Sequence, residues 1–331
     1  MQYVDLPNSP LRVSRIAMGC WAIAGDATWG PQDAQEAERA VCAALDAGIN
    51  FFDTAELYGD GRSEELLGAA LHGRRSQAVI ASKFNVEHSG RDDLLVALHG
   101  SLRRLRTDVI DLYQIHWPSR TVARDETISA LEHARRQGLI RAIGVCNFGP
   151  RDLEELLPLA RPATNQLPYN LLWRAIEFEI APRCRRENIG ILCYSPLQIS
   201  LLTGKFRTPD DVPPGRARTR HFSASRPLTR HGEPGCEEAV FAAIDQLRRL
   251  AEELGAALPQ LALAWLLHQP GVSAVLCGMR NAGQAQAAAA AAELTLDAAT
   301  LERLDRITAG VKTLLGPNPD MWESAARSRF R

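Results

Sequence analysis

Eight short apolar runs recur along the chain, each followed within a few residues by an amphipathic stretch, and this alternation most constrains the fold. The runs fall at 15–19, 49–53, 78–83, 109–116, 141–146, 163–167, 190–195 and 272–278. Residues at helical spacing occupy 33–47, 62–72, 91–105, 125–137, 151–159, 174–188, 259–268 and 281–292, with two further helices at 236–254 and 297–309. Over 33–47 the inward stripe is Ala37, Ala40, Val41, Ala44 and Leu45, ended by Gly48. Over 91–105, Leu94, Leu95, Leu98, Leu102 and Leu105 point inward, while Arg103, Arg104 and Arg106 form a solvated outer face. Strand–helix pairs in that number predict a parallel sheet closed into a (β/α)8 TIM barrel, preceded by a β-hairpin over 2–14. The alternative, an open doubly wound sheet, wants a G-x-G-x-x-G turn after its first strand. Here that turn reads Gly19-Cys20-Trp21-Ala22-Ile23-Ala24-Gly25, without the spacing. All 331 residues are read as one barrel domain. The irregular segment 206–234, rich in proline and arginine, is expected to be a mobile loop over the barrel mouth.

Composition removes several classes of function. Net charge is −1 with no run of like charge, so neither nucleic acid nor an anionic membrane is an expected partner. The seven cysteines are odd in number and scattered without a C-x-x-C, which predicts neither a disulfide framework nor a zinc site. They read as thiols of a reducing compartment. No basic-then-apolar leader opens the chain, and no apolar run approaches the roughly 18 residues of a membrane span. A cytoplasmic protein is expected. Arginines number 35 and lysines only three, Lys83, Lys205 and Lys312, so generic positive charge is carried by arginine. Lys83, at the end of a strand, is therefore a candidate for a role that needs an amine.

The carboxyl ends of barrel strands are where such folds keep their chemistry. Four ionisable residues end or follow consecutive runs: Asp53, then Tyr58 in the loop after it, Lys83 and His116. A phenol ordinarily titrates near pH 10. An ammonium beside it favours the phenolate and is expected to lower that value, and a carboxylate can hold the ammonium in place. Such a tyrosine can pass a proton to a carbonyl oxygen that a histidine orients, provided a hydride donor is at hand. Ser63 or Asp60 is expected to cap the helix after Tyr58. Tyr113 and Gln114 are expected only to pack. Trp21, Trp29, Trp117 and Phe84 predict an apolar or sugar-stacking pocket, with Glu56 and Asp26 as partners for hydroxyls.

Several ordered motifs carry a family likeness: Gly48-Ile49-Asn50-Phe51-Phe52-Asp53-Thr54-Ala55 with Tyr58-Gly59; Ile80-Ala81-Ser82-Lys83; Asp108-Val109-Ile110-Asp111-Leu112-Tyr113-Gln114-Ile115-His116-Trp117-Pro118; Tyr194-Ser195-Pro196-Leu197; Leu202-Thr203-Gly204-Lys205; and Gly278-Met279-Arg280. From about residue 11 onward the chain resembles an aldo-keto reductase. The resemblance implies reduction of an aldehyde or ketone with Tyr58 as general acid, Asp53 and Lys83 as its tuning pair, and His116 orienting the carbonyl. It implies NADPH as cofactor, with Asn147 and Gln166 at the carboxamide and Tyr194 stacked on the nicotinamide. Ser195, Pro196, Leu197, Ser200, Leu202, Gly204 and Lys205 would follow the pyrophosphate, covered by 206–234. Gly278, Met279, Arg280 and Gln284 would meet the adenosine end, Arg280 at the 2′-phosphate. Gly19, Cys20, Trp21 and Cys146 complete the implied cofactor wall, and Trp21, Tyr58, His116 and Trp117 the substrate wall. Three positions depart from the family pattern: Cys146 stands for a serine, Cys277 for a proline and Ala288 for an asparagine. Two other functions compete. A barrel lysine can form a Schiff base, making Lys83 the centre of an aldolase. Some relatives are channel-associated, cofactor-sensing subunits, but these carry extra N-terminal sequence, whereas here the hairpin is expected within a few residues of Met1.

Overall fold

A computed structural model of the chain describes residues 1–26 and 28–331. Two short strands, β1 (Tyr3–Asp5) and β2 (Arg12–Ser14), pair antiparallel as the hairpin. Eight parallel strands follow: β3 (Ile16–Gly19), β4 (Phe51–Asp53), β5 (Val79–Phe84), β6 (Ile110–Ile115), β7 (Ile140–Cys146), β8 (Thr164–Pro168), β9 (Gly190–Tyr194) and β10 (Val272–Gly278). They close in sequence order, β10 pairing with both β9 and β3. The barrel read from the sequence is the fold. Its helices are α1 (Ala34–Asp46), α2 (Arg62–Ala70), α3 (Arg91–Leu105), α4 (Arg124–Arg136), α5 (Pro150–Leu156), α6 (Ile180–Arg186), α8 (Leu258–Leu267) and α9 (Ala282–Ala291). The additional pair is α7 (Glu237–Glu253) and α10 (Ala298–Leu315).

Strand periodicity divides the core in two. Residues of one parity face outward and join the helix stripes, as Phe52 does with Ala37, Val41 and Leu67. Residues of the other parity fill the barrel: Ala17, Phe51, Ala81, Leu112, Ala142, Leu192, Ala274 and Leu276. Half of these are alanine, and the hairpin takes up part of the remaining space. Leu6, Leu11 and Val13 pack into the same cluster and stopper the amino-terminal end of the barrel. Among the described residues no single helix is long and apolar enough to cross a membrane; α7 and α8 together would be by length and composition, but they meet at 93°.

Three local expectations are corrected. The helix expected over 174–188 is a 3-10 turn, Ala175–Glu177, and then α6, because Pro182 has no N–H to donate and fits only the first turn. The helix expected over 297–309 runs on through Gly310 to Leu315. Arg104 is not a solvated residue: its Nε lies 2.7 Å from Oε2 of the fully buried Glu64, tying α3 to α2.

Candidate active site

The inward parity that fills the barrel also sets its upper rim. Two residues beyond Phe51 the same face of β4 presents Asp53; beyond Ala81 it presents Lys83; beyond Leu112 it presents Gln114 and then His116. Apolar in the middle of the strand, the face turns polar where the barrel opens. Lys83 is fully buried, and its three N–H bonds are all used. They reach Asp53 Oδ1 at 2.6 Å, the Thr54 carbonyl at 2.8 Å and the Tyr58 hydroxyl at 3.2 Å. Asp53 Oδ2 accepts from Gln114 Nε2 at 3.0 Å and Gln166 Nε2 at 2.8 Å. Gln114, expected only to pack, is thus part of the buried network. Cys146 donates its thiol to Gln114 Oε1, and Tyr194 donates its hydroxyl to Asn147 Oδ1, while Asn147 Nδ2 donates to the His116 carbonyl.

Tyr58 is positioned from the loop side. Its ring stacks on Trp21 at 5.9 Å and meets His116 edge-on at 5.8 Å. The cap expected from Ser63 or Asp60 is replaced by Gly61, at φ 91°. Ser63 is instead buried, donating to the Cys20 carbonyl and accepting from Thr54 Oγ1, both at 2.8 Å, which ties the Tyr58 loop to the turn after β3. The carboxylates expected to receive hydroxyls are committed elsewhere. Asp26 accepts from Trp21 Nε1 and from the amides of Thr28 and Trp29; Glu56 accepts from Asn85 N and pairs with His88.

Electrostatics separate the groups. Burial pushes the Tyr58 phenol up to about 12, and Lys83 offsets only part of that rise. The expected lowering is therefore reversed, because desolvating a phenolate outweighs the neighbouring ammonium. Burial also opposes charge on Lys83, but Asp53 and Tyr58 outweigh it and hold the ammonium above its ordinary value. His116 is pushed down to about 3, by burial first and then by Lys83 and Arg329, so its imidazole is neutral and its buried Nδ1 has no partner. A proton donor, a fixed cation beneath it and a neutral imidazole beside it can protonate a carbonyl oxygen as charge develops there.

Above this floor opens a cavity of about 960 Å³. Its wall includes Gly19, Trp21, Asp53, Tyr58, His116, Trp117, Asn147, Gln166, Tyr194, Ser195, Pro196, Leu197, Ser200, Lys205, Gly278, Arg280 and Gln284 from the sequence reading. Cys20, Cys146, Leu202, Gly204 and Met279 do not line it; all but Gly204 are buried. Three parts of the wall were missed: Pro259 and Leu263 of α8, Arg216, Arg218 and Arg230 of 206–234, and Trp322 and Arg329 of the C-terminal tail. Segment 206–234 is anchored at its centre, where Arg220 donates to the carbonyls of Leu315 and Asn318 and buried His221 pairs with Gln198. Arg280 donates to the carbonyls of Trp29, Gly30 and Pro31 and to Gln32 Oε1.

The lining carries groups that suit an anionic nucleotide. Tyr194 and the amides of Asn147 and Gln166 share the wall with Lys205 and Arg216, neither with a carboxylate within 4.0 Å among the described residues. Closed barrel and tyrosine–lysine floor together define an oxidoreductase that works on carbonyl carbon. The profile described as the Aldo/keto reductase family matches residues 15–309, and the chain belongs to that family, whose enzymes reduce carbonyl groups with NAD(P)H. Among relatives, it is 35% identical over 302 residues to aldo-keto reductase YhdN of Bacillus subtilis (strain 168), covering 87% of each chain. It is 32% identical over 304 residues to a probable voltage-gated potassium channel subunit beta of Oryza sativa subsp. japonica, covering 86% of this chain and 89% of that one. An aldo-keto reductase from Klebsiella pneumoniae, solved in complex with NADPH, superposes with a TM-score of 0.72 at 30% identity, covering 90% of this chain and 92% of that one.

Proposed function

We propose that the protein reduces an aldehyde or ketone to the alcohol with NADPH, Tyr58 delivering the proton. The observation that carries this is the Lys83 ammonium, 2.6 Å from Asp53 and 3.2 Å from the Tyr58 hydroxyl, at the floor of the cavity. When bound, the cofactor supplies the hydride that the carbonyl carbon accepts. Tyr58 O–H gives its proton to the oxygen as that oxygen gains charge. Lys83 steadies the phenolate left behind, and Asp53, itself held by Gln114 and Gln166, keeps the ammonium in place. Neutral His116 orients the same oxygen without adding a charge. Asn147, Gln166 and Tyr194 would seat the nicotinamide end, and Lys205, Arg216 and Arg280 the phosphates.

The Lys83 environment disfavours an aldolase, which needs a free, neutral amine. Likeness to a channel subunit brings no association to this chain, and the reductive groups are complete. Tyr58→Phe is expected to keep cofactor affinity and lower kcat by at least about 10²-fold, with Lys83→Met comparable. A near-wild-type kcat in Tyr58→Phe would overturn the assignment.

Preference for NADPH over NADH rests on the cationic end. Arg280 is held by neutral acceptors, which leave its charge uncancelled. Arg280→Ala is expected to shrink the ratio of NADPH to NADH affinity roughly ten- to a hundred-fold. Equal losses for both cofactors would instead mean that Arg280 only braces the 29–32 loop. Segment 206–234 is proposed to cover the cofactor with the flanks of its anchored centre; limited proteolysis there should slow when NADPH is added.

A further inference from the structure

The cavity wall holds more cations than carbonyl reduction requires. Arg218, Arg230 and Arg329 all reach it. Two of them are paired. Arg329 sets Nε and Nη2 on the buried Asp320 carboxylate, each at 2.8 Å, and lies 3.8 Å over the Trp117 ring. Arg230 Nε is 3.3 Å from Glu323. Arg218 differs from both: among the described residues no carboxylate lies within 4.0 Å of it, and its buried Nε has no hydrogen-bond partner. Asp26, the carboxylate whose field acts on it, is already committed to Trp21 Nε1 and two amides. Burial and the like charge of Arg230 both press its pKa down. Two residues earlier, Arg216 lies 5.4 Å over Trp29 and feels Arg280. Asp26, whose field reaches Arg218, bonds Trp21, and Trp21 stacks on Tyr58, so Arg218 shares its side of the wall with the reacting tyrosine.

A half-buried guanidinium without an anion, on the wall that also carries Tyr58 and His116, is an uncompensated cation. We propose that Arg218 binds a carboxylate carried by the substrate, so that the preferred substrates are aldehydes or ketones bearing a free acid group. This rests on the reductase reading and specifies its substrate class. A planar guanidinium meets a carboxylate through two parallel N–H donors. One free guanidinium matches one negative charge, which favours a carboxylate over a phosphate dianion. Trp21, Trp117 and Trp322 of the wall would shield the pair from water, strengthening it, and would seat the carbon body between acid and carbonyl.

The test is kcat/KM with NADPH for 4-carboxybenzaldehyde and for its neutral methyl ester, in the wild type, Arg218→Gln and Arg218→Lys. Comparing ratios between variants cancels the different reactivity of the two aldehydes. The wild type should favour the acid. Arg218→Gln should cut the acid-to-ester ratio roughly ten- to a hundred-fold, mostly through KM, and Arg218→Lys should restore part of it. An unchanged ratio in Arg218→Gln overturns the inference while leaving the reductase standing. A weakened NADPH Kd with that ratio intact also overturns it, assigning Arg218 to the cofactor. Turnover of neither aldehyde by the wild type overturns the reductase reading and this inference with it.

Discussion

Gln114 shows what one side chain contributes to a charged cluster. Asp53 is buried with three donors on its two oxygens, and Gln114 supplies one of them at 3.0 Å. Gln114→Leu removes a hydrogen bond to a charged acceptor and should cost about 1.5–3 kcal/mol, read as a lower urea midpoint. Turnover should fall as well, since the carboxylate then holds Lys83 less firmly. Histidines make the acid side of stability predictable. His116 and His221 are pushed down to about 3 and about 4, chiefly by burial, and stay neutral in the fold. The unfolded chain takes up a proton on each near the ordinary 6.5, so stability is complete above that value and drains away as pH falls toward theirs. Urea midpoints at about pH 7 and pH 5 should show the loss, and His116→Asn should show less of it. At this scale the sequence was a good guide wherever strand parity applied. Asp53, Lys83 and His116 announced themselves as polar residues ending apolar runs. Gln114 shares the parity of His116 two residues on and was readable by that rule, though it stood inside the run and not at its end. The direction of the Tyr58 shift was not readable, because burial depth is a property of the assembled barrel.

Helix packing carries the next level, and two glycines test it with opposite signs. At Gly68 in α2 a Cβ would sit 2.6 Å from the backbone of Leu105 in α3, which cannot step aside. Gly68→Ala should destabilise by about 1–3 kcal/mol through overpacking. At Gly310 inside α10 a Cβ would meet nothing within 4 Å. Gly310→Ala should stabilise by about 0.5–1 kcal/mol, the entropy of holding glycine in a helix. Thermal melts of the two variants should move apart. Element order and type were legible because amphipathic periods are strong over 10 or more residues. What blurred them was local: Pro182 delays α6, and α10 passes through a glycine where a stop was expected. The turn at Gln198, Ile199 and Ser200 was hidden altogether. Three successive non-glycine residues there hold φ of 44°, 48° and 78°, a strained path. It is kept by buried Gln198, whose amide bonds Asn170 and His221.

Across the whole molecule, distant segments converge on one mouth. The tail brings Trp322 and Arg329 to the cavity from beyond the last helix, and no periodicity in the sequence foretold it. Asp320 gathers that tail, accepting from Trp322 N, Arg329 N and the Arg329 guanidinium. Asp320→Ala leaves these donors unpaired, at a cost of about 1–3 kcal/mol, and should hasten tryptic cleavage after Arg327 and Arg329. Cleavage as slow as in the wild type would mean that the tail is held mainly by Arg331, whose carbonyl accepts from the Arg151 and Asp152 amides. The hairpin at the far end has its own consequence. With Leu6, Leu11 and Val13 corking the lumen, the reaction chamber is a cul-de-sac at its base, so reactant and product share the approach from the strand ends that carry the reacting groups.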